Sequence, residues 1–283
     1  MPTILDLIAA KGGDVNEHLK ALQSTAPQLL YSQQRIVREK ARAAYITQHP
    51  QTLDMLRTAN MLSSRDEPVL ILGPTGTGKE LVAKILHADR ASKSMPPVEM
   101  VTINCSAFPA ELFESLVFGH KRGSFTGSVE STDGLLRNAK NSTAFLDEIG
   151  DLPLAQQAKL LRVIATNKVR PVGDTEEYPI SCRFVFATHR DLKQMMLDGK
   201  FREDLYYRIS ASVLRTFGLS QRQCDIIPIA RSILVSLGVN ADDADIIDIP
   251  VNAYATGNVR QLYNFLYRRF VLSYDTEQAL IDL

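Results

Sequence analysis

The sequence contains few cysteines, no excess of charge of either sign and no long hydrophobic run. Its 3 cysteines among 283 residues are odd in number and lack a paired Cys-x-x-Cys spacing, which argues against a disulfide framework and a zinc site. Lysine plus arginine balances aspartate plus glutamate at 32 each, so no net basic field favours nucleic acid. Charged residues near the N-terminus argue against a signal peptide or membrane span. These absences predict a cytoplasmic protein in a reducing compartment.

What the sequence does contain is an alternation of short apolar runs with helical patterns. The apolar runs lie at residues 68–72, 100–103, 143–146 and 183–188. The helical patterns between and around them include residues 51–62, 80–88 and 155–167. Strands that alternate with helices predict an α/β fold with a parallel sheet and helices on both faces.

The pattern changes after Phe217, where only helical segments follow, most clearly at residues 225–237 and 258–273. We therefore expect an α/β domain at 46–217 and a small all-α domain at 218–283. Residues 1–45 read as a helical segment of unknown role. The basic stretch at 35–42 could contact nucleic acid phosphates, but a solvated helix face is the more economical interpretation.

A glycine-rich stretch, Gly73-Pro-Thr-Gly-Thr-Gly-Lys-Glu80, joins the first apolar run to a helical pattern. In this context backbone N–H groups can cradle phosphates and the ammonium of Lys79 can reach the β and γ phosphates. Glu80 stands where the generic motif has a magnesium-directed hydroxyl. The predicted nucleotide-binding residues are Gly73, Thr75, Gly76, Thr77, Gly78, Lys79 and Glu80.

Two acids, Asp147 and Glu148, end the third apolar run. Carboxylates at the carboxyl edge of a parallel sheet, beside a phosphate loop, suit nucleotide hydrolysis. Asp147 is the candidate ligand for Mg²⁺ and Glu148 the candidate for orienting the attacking water. The alternative is an ordinary solvated strand end.

The succession GTGKE, FGHKRGSFTGS, FLDEIGDLP, ATHRDL, FREDLYYRI and GNVRQL, within residues 46–270, resembles the AAA+ domain of bacterial enhancer-binding proteins. Those proteins activate sigma-54 RNA polymerase. The resemblance implies a P-loop AAA+ fold with an all-α lid, hydrolysis of ATP with Mg²⁺, and a homo-oligomer, expected to be a hexamer. It also implies the sigma-54 RNA polymerase holoenzyme as partner.

The resemblance gives roles to further residues. Asn104 matches an asparagine that restrains the catalytic glutamate, and His189 falls at the sensor I position. A polar strand end and a buried structural histidine are the respective alternatives. Arg260 matches sensor II in the lid.

Two arginines, Arg202 and Arg208, match those that the family offers to the nucleotide of a neighbouring subunit. Such arginines stabilise transition-state charge and make hydrolysis depend on assembly. The alternative for both is an ion pair with Glu203 or Asp204 on a helix surface.

The loop FGHKRGSFTGS supplies the predicted partner-binding residues, which are Gly123, Ser124, Phe125, Thr126, Gly127 and Ser128. The resemblance implies that this loop contacts the sigma factor. Its glycines relieve backbone restriction, and an exposed phenylalanine suits a partner contact. Serines replace the family's usual alanines at two positions, a change that should keep the loop's shape. The alternative is that the phenylalanine packs against its own chain.

Other departures from the family affect the P-loop and the lid. Pro74 replaces a glutamate, Ser220 an arginine, and Ala255-Thr256 a Trp-Pro pair. The sequence also shows no helix-turn-helix after the lid and no receiver domain before the α/β domain, so the usual DNA anchor and switch are not expected in this chain. Two alternatives stay open: an ATPase that remodels another protein, and a nucleotide-binding regulatory module with little hydrolysis.

Overall fold

The computed structural model describes residues 39–93, 98–125, 128–239 and 249–281. The α/β part contains α1 (Pro50–Leu62), β1 (Val69–Leu72), α2 (Lys79–Lys93), β2 (Val101–Asn104), α3 (Ala110–Phe118), α4 (Leu135–Asn138), β3 (Thr143–Asp147), α5 (Leu154–Thr166), β4 (Lys168–Val169), β5 (Tyr178–Pro179), β6 (Arg183–Thr188), α6 (Leu192–Leu197), α7 (Glu203–Ile209) and β7 (Ser212–Arg215). The helical part contains α8 (Ile226–Ser236), α9 (Asn258–Leu266), a π-helical turn (Tyr267–Val271) and α10 (Thr276–Leu280). Most of the predicted N-terminal segment, and Thr126 and Gly127 of the predicted loop, lie outside the described residues.

In the described part of the chain, five strands form one parallel sheet in the order β2-β3-β6-β1-β7. The four predicted strands are confirmed as β1, β2, β3 and β6. The edge strand β7 was not predicted, because its Ser-Val-Leu-Arg sequence lacks the continuous apolar run of the inner strands. The predicted parallel sheet with flanking helices is therefore correct.

The alternating side chains of β6 show how both faces of the sheet are buried. Phe184 and Phe186 pack with α3, α5 and α7 on one face, whereas Val185 and Ala187 pack with α1 and α2 on the other. Successive strand residues point to opposite faces, so a strand covered by helices on both sides must be apolar throughout. This burial pattern explains the uninterrupted hydrophobic run that predicted the strand.

A third apolar cluster forms the core of the helical part. It joins α8, α9 and α10 through buried residues that include Leu234, Leu262 and Ala279. Ile46, which precedes α1, packs against this cluster from the α/β side. Within the described ranges, no helix combines the length and the hydrophobicity that a membrane span requires.

Candidate active site

The carboxyl ends of the inner strands meet at one edge of the sheet. Asn104 pairs in register with Asp147, and Leu72, the last residue of β1, pairs with Thr188. A cavity of about 780 Å³ opens over this edge. The predicted site residues that line it are Thr75, Gly76, Thr77, Gly78, Lys79, Glu80, Asn104, Asp147, Glu148, His189 and Arg260. The fold thus brings together residues that are up to 185 positions apart in the sequence, from Thr75 to Arg260.

The loop between β1 and α2 closes around the side chain of Lys79. The buried Lys79 Nζ donates to the carbonyl oxygens of Gly73 and Pro74, at 3.1 and 3.3 Å. Gly76 has φ +73°, and a Cβ there would lie 2.2 Å from the carbonyl oxygen of Gly257. Only glycine fits that close approach of lid and loop. The two carbonyl oxygens hold the Lys79 ammonium at the start of α2. An anion bound there would be favoured by both the ammonium and the helix N-terminus.

Asp147 and Glu148 face this ammonium from the end of β3. Glu148 Oε1 lies 3.8 Å from Lys79 Nζ, and Asp147 Oδ1 accepts the backbone N–H of Glu148 at 3.0 Å. Burial, and then the charge of Glu148, raise the pKa of the Asp147 carboxyl. A raised carboxyl pKa marks a place where a positive charge would be stabilising.

The Glu148 carboxylate is held by the end of the neighbouring strand. Its Oε2 lies 2.7 Å from His189 Nδ1 and accepts the backbone N–H of His189 at 3.3 Å and the Thr188 hydroxyl at 3.4 Å. Glu148 also has left-handed backbone angles, φ 53° and ψ 48°, which are uncommon for a residue other than glycine. Such conformations concentrate at functional sites.

Asn104 lines the same cavity but its oxygen is engaged elsewhere. Asn104 Oδ1 accepts the backbone N–H of Ser106 at 2.9 Å and the Ser106 hydroxyl at 2.8 Å. In the described residues, Asn104 makes no hydrogen bond with Glu148. The side chains that contact the Glu148 carboxylate in the described residues are those of Lys79, Thr188 and His189.

The helical part docks directly on the glycine-rich loop. The backbone N–H of Val259 donates to the carbonyl oxygen of Gly76 at 3.1 Å, and Asn258 Nδ2 donates to the carbonyl oxygen of Thr75 at 2.9 Å. These contacts at the start of α9 place Arg260 at the cavity wall. The predicted sensor II position therefore lies over the phosphate loop.

Two further side chains, which were not predicted from the sequence, form hydrogen bonds with the loop. The Tyr45 hydroxyl donates to the carbonyl oxygen of Thr77 at 2.8 Å, and Arg222 Nη2 donates to the same oxygen at 3.4 Å. The buried Arg222 also pairs with the buried Asp225 at 3.3 Å. Neither residue belongs to the predicted nucleotide motifs, so only the fold reveals their proximity to the loop.

The two predicted trans-acting arginines lie away from this cavity. Arg202 forms a bidentate pair with Asp204 at 3.0 and 2.7 Å, which is the surface ion pair that the sequence offered as an alternative. Arg208 Nη2 donates to the carbonyl oxygen of Ile164 at 3.4 Å. Neither arginine is among the described residues that line the cavity of their own chain.

The described part of the predicted partner loop forms a tight turn. The N–H of Gly123 donates to the carbonyl oxygen of Ser128 at 2.9 Å, and the Ser128 hydroxyl donates to the carbonyl oxygen of Phe125 at 2.8 Å. The Ser124 hydroxyl donates to the carbonyl oxygen of Lys121 at 2.7 Å. Phe125 remains 46% exposed while its ring makes an edge contact with His120 at 5.1 Å. The two serines thus bond the backbone of the turn, which alanines could not do.

The donor set at the sheet edge fits a magnesium ion bound together with phosphates. Mg²⁺ is usually held by one or two carboxylates plus substrate oxygens. Asp147 supplies such a carboxylate, while Glu80 is paired with Lys84 at 2.9 Å. No group of three or more metal-ligating side chains occurs in the described ranges, so an all-protein cage is not formed there.

Comparison with known proteins identifies relatives of this arrangement. Residues 45–215 match the family model described as the sigma-54 interaction domain. The transcriptional regulatory protein GlrR of Escherichia coli K12 is 42% identical over 234 residues, covering 81% of this chain and 52% of that protein. The response regulator protein PilR of Pseudomonas aeruginosa is 41% identical over 228 residues, covering 78% and 51%. The chain spans about half the length of these curated relatives.

Solved structures agree with this relationship. NtrX from Brucella abortus in complex with ATP has a TM-score of 0.68 and 28% identity, over 82% of this chain and 54% of that chain. RuvB from Thermotoga maritima, at 17% identity and a TM-score of 0.52, covers 81% of this chain and 66% of its own and shows the fold alone. These matches confirm the expected P-loop AAA+ fold. The chain belongs to the sigma-54 interaction domain family, the AAA+ ATPase domain of enhancer-binding transcriptional regulators.

Proposed function

We propose that this chain hydrolyses ATP with Mg²⁺ at the cavity over the sheet edge, and uses the reaction to remodel the sigma-54 RNA polymerase holoenzyme. The observation that carries the proposal is the convergence of Lys79, Asp147 and Glu148 beneath a docked lid. A buried ammonium beside two carboxylates is the arrangement that phosphoryl transfer to water requires.

Each of these residues has a role that follows from its position. Lys79 leaves the carbonyl oxygens of its own loop to bind the β and γ phosphates. Asp147 holds Mg²⁺, which neutralises charge on the phosphate oxygens when bound. Glu148 orients the attacking water and accepts its proton, and Arg260 contacts the phosphates from the lid.

The two surface arginines complete the site of a neighbouring subunit in a homo-oligomer, proposed to be a hexamer. Their position supports this role, because both arginines are exposed and lie outside the cavity of their own chain. The pair of Arg202 with Asp204 would open when Arg202 contacts the neighbour. An arginine supplied in trans makes hydrolysis depend on assembly.

The loop Gly123–Ser128 is the proposed contact with the sigma factor. A half-exposed Phe125, on a turn opened by Gly123 with its φ of +80°, offers an apolar contact to a partner. The relatives that match this chain are named as transcriptional regulators, which favours the sigma factor over another protein target.

The test is binding of the purified protein, trapped with ADP and a metal-fluoride phosphate mimic, to sigma-54. We expect complex formation that depends on the trap and that is lost in Thr126→Ala. A matched control is Val129→Ala, which removes a 72% exposed side chain just outside the loop and should leave binding intact. A protein that hydrolyses ATP without the trap but does not bind sigma-54 in the trapped state would show that the ATPase acts on another target.

A further inference from the structure

Tyr45, the last residue of the N-terminal segment for which no role was predicted, lies against the glycine-rich loop. Its side chain is 6% exposed, and its hydroxyl donates to the carbonyl oxygen of Thr77 at 2.8 Å. A Cβ on Gly78 would lie 2.9 Å from Cε2 of the Tyr45 ring. The hydroxyl and the ring therefore contact two consecutive residues of the loop, and the ring fills the space that a side chain at position 78 would need.

The lid fixes the position of Tyr45. The buried carboxylate of Asp225 accepts the Thr47 hydroxyl and the backbone N–H of Gln48, each at 2.6 Å. The guanidinium carbon of Arg222 lies over the Tyr45 ring, 5.4 Å from its centroid, which adds a cation–π contact. These contacts hold the segment that carries Tyr45 independently of the glycine-rich loop, so the tyrosine can serve as a fixed support for that loop.

The supported group is the peptide unit between Thr77 and Gly78. A trans peptide is planar, and its carbonyl and N–H point in opposite directions. Because Tyr45 holds the carbonyl oxygen, the N–H of Gly78 points away from the tyrosine. Gly78 lines the cavity, and its N–H donates to no protein group in the described part of the chain. A free N–H beside the Lys79 ammonium is the kind of donor that binds phosphate oxygens.

We propose that Tyr45 is a positioning residue for phosphate binding: by holding the Thr77 carbonyl, its hydroxyl aims the Gly78 N–H at a phosphate oxygen of the nucleotide. Burial raises the pKa of Tyr45 against the opposing effect of the Arg222 charge, so the hydroxyl keeps its proton and donates at neutral pH. The inference rests on the proposed ATP hydrolysis for the identity of the ligand, whereas the orientation of the peptide is a property of the protein alone.

The binding test uses Tyr45→Phe, which removes the hydroxyl and keeps the ring against Gly78. We expect ADP to bind about threefold to tenfold more weakly, the range for one neutral hydrogen bond, and adenosine, which lacks phosphates, to bind as to wild type. Tyr178→Phe is the matched control, because that hydroxyl donates to Asp174 and Glu176 and Tyr178 is not among the described residues that line the cavity. Competition against a fluorescent ADP analogue measures both affinities. Unchanged ADP affinity, or an equal loss for ADP and adenosine, would overturn the proposal.

The direction of the peptide is measured without nucleotide. In an aligned NMR sample, the residual dipolar coupling of the Gly78 N–H reports the orientation of that bond, and we expect it to change in Tyr45→Phe but not in Tyr178→Phe. The N–H of Gly73, which donates to the carbonyl oxygen of Thr188 at 3.3 Å, is the internal reference. An unchanged Gly78 coupling in Tyr45→Phe would refute the role of Tyr45 even if ATP is hydrolysed. A wild-type protein that binds no ADP would refute the proposed function, and with it a phosphate as the ligand of this N–H, whatever the coupling shows.

Discussion

Asp147 and Glu148 place two carboxyl groups side by side at the end of a buried strand. Burial and the neighbouring charge raise the pKa of Asp147 above its value in an unfolded chain. Such a group favours folding at a pH below its unfolded pKa, and this contribution is lost as the pH rises through the folded pKa. Once ionised, the carboxylate therefore opposes folding, which is the cost of keeping the proposed metal ligand there.

Replacing this carboxylate tests the sign of that effect. Asp147→Asn should raise the melting temperature of the nucleotide-free protein at pH 7.5, and the gain should shrink as the pH falls towards 4. The matched control is Asp54→Asn, since Asp54 is an exposed partner of Arg57 and such pairs contribute little. Thermal unfolding across this pH range is the measurement. A melting temperature below wild type at pH 7.5 would show that the ionised Asp147 carboxylate stabilises the fold instead.

Lys79 gives the second prediction at this scale. Lys79→Ala removes the ammonium that the P-loop encloses, and we expect nucleotide affinity to fall by about 10–100-fold, the value of a charged hydrogen-bonded contact of roughly 1.5–3 kcal/mol. Lys200→Ala is the control, because Lys200 is exposed, pairs with Asp198 at 3.6 Å and does not line the cavity. Titration with a fluorescent ATP analogue measures both. If Lys79→Ala bound nucleotide as tightly as wild type does, the assignment of this loop as the phosphate-binding loop would be wrong.

At the scale of elements, a buried arginine connects the sheet to two helices. Arg183 opens β6 and donates to the carbonyl oxygens of Leu62 at 2.9 Å and Leu86 at 3.1 Å. Leu62 is the last residue of α1, and its carbonyl oxygen also accepts the backbone N–H of Arg65 at 3.0 Å, so the guanidinium adds a second donor at the helix end. One side chain thus fixes α1 and α2 against the same strand.

Arg183→Met should destabilise the fold by about 1–3 kcal/mol, because the carbonyl oxygens of Leu62 and Leu86 would lose a buried charged donor. The exposed Arg65 offers the control, and Arg65→Met should change stability by less than about 0.5 kcal/mol. Urea unfolding of the two variants gives the comparison. Equal stability of Arg183→Met and wild type would show that the guanidinium contacts add no net stability.

The strands differ in how well they could be predicted from the sequence. Inner strands such as β6 are covered on both faces, so burial leaves a continuous apolar run that identifies them. The edge strand β7 has Val213 39% exposed and therefore leaves a mixed pattern. The motifs predicted that Lys79 and Asp147 lie close together, and both line one cavity, because the carboxyl ends of parallel strands lie at the same edge of the sheet.

Side-chain partners could not be predicted in the same way. Thr77 shares a 2.7 Å hydrogen bond with Thr216, and Asn104 turns to Ser106, although both face the site by position. The hydrogen-bond partner of each side chain depends on which donor or acceptor a neighbouring element brings close after folding. Arg222 was missed for the same reason, since its guanidinium reaches the P-loop only through tertiary contact.

At the scale of the whole molecule, the active site is proposed to form between subunits. Arg202→Ala or Arg208→Ala should bind ATP nearly as wild type does and lose turnover by about 10³-fold, the lower end of the effect of a trans arginine. Mixing either variant with Glu148→Gln should partly restore turnover, because the second protein supplies intact arginines to the first. Steady-state ATPase assays over a range of mixing ratios measure this. Absence of rescue at every ratio would exclude arginines that act across an interface.

Because the lid docks on the glycine-rich loop, truncating the chain before the lid would alter that loop. Carbonyl oxygens of Thr75, Gly76 and Thr77 are held by Asn258, Val259 and Arg222, all of which follow the predicted boundary at Phe217. A fragment ending there would contain the glycine-rich loop, Asp147 and Glu148, and yet lose Arg260 and the contacts that shape the loop. A fragment can therefore contain the sequence motif and still lack the loop conformation that binds nucleotide, because that conformation requires the undivided chain.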